Sequence, residues 1–247
     1  MKYSAFGTKF KLGIRQIETA TVLGAITGSG NATVIVTATG MTGTPITTSV
    51  AVLNLDTADT VAEKIRTALN AVANITAKFI VGGSGAQVVL TRLIAAANIS
   101  NLNISIANGT CTGLTAAPTS VDTLGGVVST EIAAVRNISG PGISVDTEDV
   151  TTHDSIEAWE ELVATIIRTG NVGLDLIFDP NAATHSADAG LLNYIENRLL
   201  GYCDLVFPDT TVWSFPAYIT GFEPGEPHDG ALTASVGVKI SGKPILV

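Results

Sequence analysis

Residues Tyr3–Ile14 read YSAFGTKFKLGI, and the place of this stretch decides the architecture. It has β character and is too short to fold alone. The segment that follows it with a complete pattern of its own, Arg15–Gly126, differs in composition from everything after it. The region from Val127 onward reads as a domain that lacks one strand at its N-terminus. The simplest account is an insertion: Arg15–Gly126 is a module placed in a hairpin loop between Tyr3–Ile14 and the strand Thr130–Ile138. Loop tips accept such insertions when the module's ends lie close together. The expected organisation is therefore a discontinuous domain, 1–14 with 127–247, carrying an inserted domain, 15–126.

The composition shift is sharp. Arg15–Gly126 is rich in Thr, Ala, Asn, Val and Gly and has no Trp, His or Tyr, whereas both Trp and all three His lie after Val127. The insert reads β-β-α-β-β. Asn31–Thr39 (NATVIVTAT) and Ile46–Leu55 (ITTSVAVLNL) alternate apolar with small polar residues, as strands do. Asp56–Thr60 supplies capping residues before Val61, Ile65, Ala68/Leu69 and Val72, which share one helical face. Ile75–Val81 and Ala86–Leu93 read as a hairpin joined by Gly82–Gly85, Leu102–Ile106 as a last strand, and Thr115–Gly126 as a linker.

The second region opens with Thr130–Ile138 and a tight turn at Ser139–Gly142, followed by a strand at Ile143–Val150. A helix is expected at Ser155–Thr169, with Asp154, Ser155 and Glu157 as caps and Ile156, Trp159, Val163 and Ile166/Ile167 as its buried stripe. Val172–Phe178 is a strand, Ala187–Leu200 a second helix capped at Ser186, and Cys203–Phe207, Thr211–Phe222 and Leu232–Ser241 complete the strands. The fold class expected is α+β, mainly β: a β-sandwich or open barrel with flanking helices, carrying an inserted small α/β module.

Hydrophobic residues make up 46% of the chain and charged residues 14%, with mean hydropathy +0.40. Intrinsic disorder is excluded by that composition. The most apolar stretches, around Ala86–Ile99 and Glu161–Ile167, are far shorter than the roughly 18–20 residues of a membrane span, and Met1–Gly7 lacks the apolar run of a signal peptide. The net charge is −9, and no Lys/Arg cluster is present to neutralise phosphates, which disfavours nucleic-acid binding. An apolar, charge-poor chain outside a membrane points first to self-association.

The charge is unevenly placed. Arg15–Gly126 holds five basic and five acidic residues; Val127–Val247 holds five basic and seventeen acidic ones. Lys2, Lys9 and Lys11 make the first fourteen residues basic.

Candidate chemistry is sparse. His153-Asp154-Ser155 has the residue types of a hydrolytic triad, but adjacency is not triad geometry, and Asp154 and Ser155 are better read as caps. His153, His185 and His228 fall in three separate loops without metal-ligand spacing. Cys111 and Cys203 read as buried free thiols. Gly82–Gly85 lacks the Gly-Lys-Ser/Thr of a phosphate loop. No catalytic, metal or cofactor residues are expected. Ser139–Gly142 is explained as a tight turn, and equally as a loop shaped for packing against another subunit.

With the insert removed, the remaining motifs form an ordered set: FGTKFKLG at Phe6–Gly13, Asn137–Asp146 (NISGPGISVD), Asp149–Ser155 (DVTTHDS), Trp159, and Gly170–Leu176 (GNVGLDL). Phe222-Glu223-Pro224, Leu232–Val236 and Ser241–Pro244 follow. This set resembles the major tail tube proteins of long-tailed, non-contractile (siphovirus-type) bacteriophages over about Met1–Ile14 and Val127–Val247. The insert resembles the small α/β modules that decorate other phage tail proteins.

The resemblance implies a homo-hexameric ring stacked into a hollow tube for DNA, on a fold shared with the type VI secretion tube. It implies a tape measure protein within, terminator and tail-tip proteins at the ends, and a virion tail assembled in the host bacterial cytoplasm, with no membrane partner. DNA would be a passenger, not a sequence-specific ligand. Interface candidates are Tyr3, Phe6, Lys9, Lys11, Gly140, Pro141, Gly142, Asp146 and His153. A cell-surface adhesion or carbohydrate-binding module would share the acidic, Thr-rich β composition. It should also carry exposed aromatic platforms or calcium-type acidic loops, and the insert has neither.

Overall fold

Alternation of apolar with small or polar residues drives most of the strands. Along Thr233–Ile240, TASVGVKI, the residues Ala234, Val236, Val238 and Ile240 are buried while Ser235 and Lys239 are exposed. The computed structural model describes residues 6–115, 120–226 and 228–246. Its chain divides into two compact units: residues up to Leu12 with those from Ser129 onward, and Gly13–Val128.

The chain enters along Lys9–Ile14 (β1). The second unit then carries Ile17–Thr21 (β2), Gly24–Gly28 (β3), Gly30–Thr37 (β4), Ile46–Val52 (β5) and the helix Ala58–Asn70 (α1). After the single turn Ala73–Thr76 (α2) come Phe79–Gly82 (β6), Gln87–Arg92 (β7), Asn103–Asn108 (β8), Thr112–Leu114 (β9) and Val121–Leu124 (β10). The rest holds Val127–Glu131 (β11), Val135–Ser139 (β12), Ile143–Asp149 (β13), a 3-10 turn at Ile156–Ala158, Leu162–Thr169 (β14) and Asn171–Ile177 (β15). The helix Leu191–Glu196 (α3), Gly201–Val206 (β16), Val212–Gly225 (β17), Thr233–Ile240 (β18) and Ile245–Leu246 (β19) complete it.

In the first unit one sheet runs β11-β1-β16-β17-β18-β15-β12, with β19 pairing on β17. Its outermost strands, β11 and β12, are successive in sequence. Ile132 donates its N–H to Phe10 O at 2.9 Å, and Ala134 O accepts from Ile177 N at 3.0 Å, so one short turn touches both ends of the sheet. Four residue steps separate β11 from β12, so their ends lie at most about 15 Å apart. The two edges do not pair with each other. The result is an open, unclosed, mainly β architecture with a core of Phe10, Leu174, Leu176, Phe215, Val236 and Val238, onto which α3 packs Leu191 and Tyr194.

The Gly13–Val128 unit packs α1 against antiparallel sheets ordered β10-β2-β7-β6 and β5-β4-β8, with the β3-β9 pair beside them. The helix starts where Thr57 Oγ1 accepts from Thr60 N, a side-chain N-cap. Val61, Ala62, Ile65 and Leu69 bury its apolar stripe against Val34, Val50, Val88 and Leu90, each large aliphatic side chain contributing roughly 1.5–3 kcal/mol of burial. Two polar residues are also buried. Gln16 exchanges hydrogen bonds with Ile99 N and O, and Glu18 accepts from Ser120 Oγ.

Several expected elements differ. The helix expected at Ser155–Thr169 is the strand β14 preceded by one 3-10 turn. Val163, Thr165, Ile166, Ile167 and Thr169 are β-branched, which favours the extended chain, and β13 supplies the pairing. Asp154, Ser155 and Glu157 therefore cap no α-helix. Ser155 holds the N-cap position of the 3-10 turn without a side-chain capping bond, and Glu157 breaks that turn with φ +54°.

The expected helix Ala187–Leu200 shortens to α3, with Gly190 rather than Ser186 at its N-cap; Ser186 Oγ donates to Ala183 O instead. Thr130–Ile138 divides into β11 and β12 at Ala134, whose φ is +54°. Ile75 belongs to α2 rather than to the hairpin strand, and the Thr115–Gly126 linker contains β10, paired with β2. No helix among the described residues is long and apolar enough to cross a membrane.

Candidate subunit interface

The least covered part of the first unit is the two-stranded hairpin β13–β14. The register pairs Ile143 with Thr169, Val145 with Ile167 and Asp149 with Leu162, with a shift between Val145 and Thr147. Gly170 N donates to Gly142 O at 2.6 Å at its base, and Val150 N to Glu161 O at 2.9 Å near its tip. Thr165 Oγ1 donates to Asp146 O, and Asp146 takes the Arg168 guanidinium. Thr151's hydroxyl, then its N–H, hold the Asp149 carboxyl below the usual carboxylate range.

Every residue of β13 and β14 is exposed except Asp146 and Thr169, which are half-buried. Successive side chains of a strand point to opposite faces. Cross-strand partners share a face, so Leu162 and Ile167 lie with Asp149 and Val145 on one face of the hairpin, and Val163 lies with Glu148 on the other. Ile167 is 67% exposed, and Trp159 in the connecting tip is 72% exposed. An isolated two-stranded hairpin is marginal in water, and large contiguous apolar exposure marks an interaction site. Among the described residues, both faces of this hairpin are left open to solvent.

The expected interface residues fall at separate places. Tyr3 lies outside the described residues. Phe6, 91% exposed, and Gly140 line one cleft of about 400 Å³ with Val135, Ile138, Leu205 and Phe207. Lys9 is exposed and pairs with Glu131 at 2.8 Å, which fastens β1 to β11, and Lys11 is half-buried on β1. Gly140, Pro141 and Gly142 form the turn that launches the hairpin. Gly140 adopts φ +83°, and a Cβ there would run into Asn171 O. Asp146 sits in the hairpin and His153 in its exposed tip.

His153, Asp154 and Ser155 are not aligned for proton relay. Ser155 Oγ accepts from Thr152 N at 2.9 Å, and Asp154 donates its N–H to Thr152 Oγ1. His185 is fully buried, its Nε2 at 3.0 Å from Ala133 O and its Nδ1 accepting from Asp179 N at 3.3 Å; His228 contacts Asp229. Burial pushes the Cys203 thiol far above its ordinary value, with Asp204 adding to the effect.

The sequence placed the hairpin's most exposed residues, Ile156, Trp159, Ile166 and Ile167, in a buried helical stripe. The usable signal was the run Leu162–Ile167, β-branched and apolar without alternation, which suits a strand covered on both faces.

The family model for lambda phage tail tube protein, TTP, matches residues 122–247, just over half the chain. Among solved structures, a chain from the tail of an empty GTA particle, refined helically with C6 symmetry, is 18% identical with a TM-score of 0.41, covering 48% of this chain and 86% of that one. A chain from the virion of a native gene transfer agent (GTA) particle is 19% identical with a TM-score of 0.42, covering 48% and 88%. A chain from the 6-fold symmetrised baseplate of the anti-feeding prophage (AFP) is 12% identical with a TM-score of 0.39, covering 48% and 83%. No curated protein matches the sequence. Matched over residues 122–247, the chain belongs to the lambda phage tail tube protein family.

Proposed function

We propose that six copies of this tail tube subunit close into a ring, and that rings stack head to tail into the hollow tail tube of a long-tailed, non-contractile phage. The genome passes through the tube during infection. The observation that carries this is the β13–β14 hairpin, apolar and exposed on both faces. A repeated head-to-tail assembly supplies the same cover to every copy and needs a heterologous contact of this kind. The Phe6–Gly140 cleft and the Gly140–Gly142 turn belong to the same contact zone.

The acidity fits the passage of DNA. Six copies at −9 give a ring of about −54, which repels a polyanion wherever it faces the channel. The subunit acts by shape and charge, without catalysis or cofactor. Assembly takes place in the host bacterial cytoplasm, with a tape measure protein inside the growing tube and terminator and tail-tip proteins at its ends. The residues of Gly13–Val128 form a decoration that the tube does not require, and they stay out of the channel because their bulk would block the genome.

The test is an exposed double substitution, Ile166→Asp with Ile167→Asp. Both side chains are solvent-facing, so the melting temperature is expected to stay close to that of the parent chain. Sedimentation should show loss of ring-sized and larger species. Undiminished assembly of a folded double variant would overturn the role given to the hairpin.

A further inference from the structure

We infer that the Gly13–Val128 unit carries a second association surface, the free edge of β5, and that its occupant is β5 of a second copy of this chain. β5 is the outer strand of the sheet β5-β4-β8. It pairs with β4 in unbroken register from Ile46↔Val36 to Val52↔Gly30, and among the described residues no strand pairs its far edge.

Edges in folded proteins are blunted by charge, proline, bulges, shortness or a covering group. The sequence Ile46–Val52, ITTSVAV, has no charge, proline or glycine and no register shift. The unit's other sheet ends are treated differently. β6 and β10 are four residues each, β10 carrying Asp122 and a register shift, and on β8 the Ile104 N–H is occupied by Ser120 Oγ at 2.7 Å.

The surroundings of the edge leave room for an incoming backbone. A groove of about 500 Å³ runs between β5 and α1, lined by Ser49, Val50 and Ala51 on the strand and, on the helix, by the small Thr60, Thr67 and Ala68 together with Glu63 and Lys64. Main-chain pairing in such a groove is the β-augmentation mode of recognition.

Self-complementarity selects the occupant. An antiparallel two-fold through Ser49 overlaps all seven residues, pairing Ile46 with Val52, Thr47 with Ala51, Thr48 with Val50 and Ser49 with itself. None of these pairs sets like charges against each other. The unit is also electrically neutral, with five basic and five acidic residues, so no net repulsion opposes its pairing. One seven-residue edge is small beside a standard interface of about 800 Å² per partner, so the dimer is weak and concentration-dependent.

The experiment is cysteine cross-linking of the full chain. Ser49→Cys places a thiol opposite its own counterpart, within reach of a disulfide. The native Cys111 and Cys203 are buried and remain silent. Asn70→Cys, exposed at the end of α1, is the control. Mild oxidation should convert Ser49→Cys to covalent dimer at least ten-fold faster than Asn70→Cys. Adding Thr47→Lys and Ala51→Lys, both at exposed positions, should remove that advantage while leaving melting unchanged. Equal rates for Ser49→Cys and Asn70→Cys, or rates indifferent to the lysines, would overturn the proposal.

Copies rotated about a common tube axis do not present Ser49 to Ser49, because a residue meets its own counterpart across a two-fold. The cross-link is therefore read independently of tube formation, and the lysine variant should still form tubes.

Discussion

The hydroxyl of Ser120 donates to the carboxylate of Glu18, which is only 2% exposed, and this pair joins the returning segment of the Gly13–Val128 unit to β2. Burial pushes the Glu18 carboxyl above its ordinary value; the Ser120 hydrogen bond opposes the shift and the nearby Asp122 adds to it. A carboxyl whose folded value is raised binds a proton more tightly when folded. Its stabilising contribution is complete below the unfolded value, roughly 4.3, and is lost as pH rises through the folded one. Asp56 works in the opposite sense. The Lys64 ammonium holds it below the usual range, so its contribution is lost only on stronger acidification. As pH falls from neutrality towards the unfolded value, the Glu18 contribution should therefore make the unit more stable. Glu18→Gln should melt higher than the parent at pH 7 and flatten that dependence, as followed by thermal unfolding across the pH range. A Glu18→Gln variant with the same pH dependence as the parent chain would contradict the assignment.

Two glycines at the base of the hairpin should respond unequally. Gly140 has φ +83°, and a side chain there meets Asn171 O, whereas nothing lies within 4 Å of a Cβ placed on Gly142. Gly140→Ala should cost about 1–3 kcal/mol, and Gly142→Ala no more than about 0.5 kcal/mol. Urea unfolding of the two variants measures the difference. Equal costs would show that the turn does not need the left-handed conformation.

His185 bridges two backbone segments from a fully buried position, through Ala133 O and Asp179 N. His185→Ala leaves both groups without these partners and opens a cavity. A loss of roughly 2–4 kcal/mol follows from those two effects together. It should appear as an earlier urea midpoint, with the hairpin's exposed residues unaffected in assembly at low denaturant.

The legible parts of the fold were those in which pattern and environment agree. α1 was readable from Thr57 and the stripe Val61, Ile65, Leu69 because that stripe is buried within its own unit. β15 and β18 were readable because one face of each is covered by the chain itself. The stretch Ser155–Thr169 misled for the converse reason. Its apolar residues fall on both faces of a strand and by coincidence also on one face of a helix. Among the described residues both faces are exposed, so no buried partner supplied a period. β2 escaped notice because Glu18 occupies a buried position, where its charge breaks the apolar alternation. The interface candidates were legible as turn and strand residues. Their grouping was not: the cleft joins Phe6 to Gly140 across most of the sequence, and pairing at that range leaves no local trace.

The central claim is that this tail tube subunit makes a hollow tube from stacked six-fold rings, and electron microscopy of the purified full chain tests it most directly. The account predicts end-on views with six-fold symmetry and an open channel wide enough for a DNA duplex, and side views with a regular axial repeat. Chains that remain monomeric at high concentration, even with tail-tip proteins added to start assembly, would contradict it.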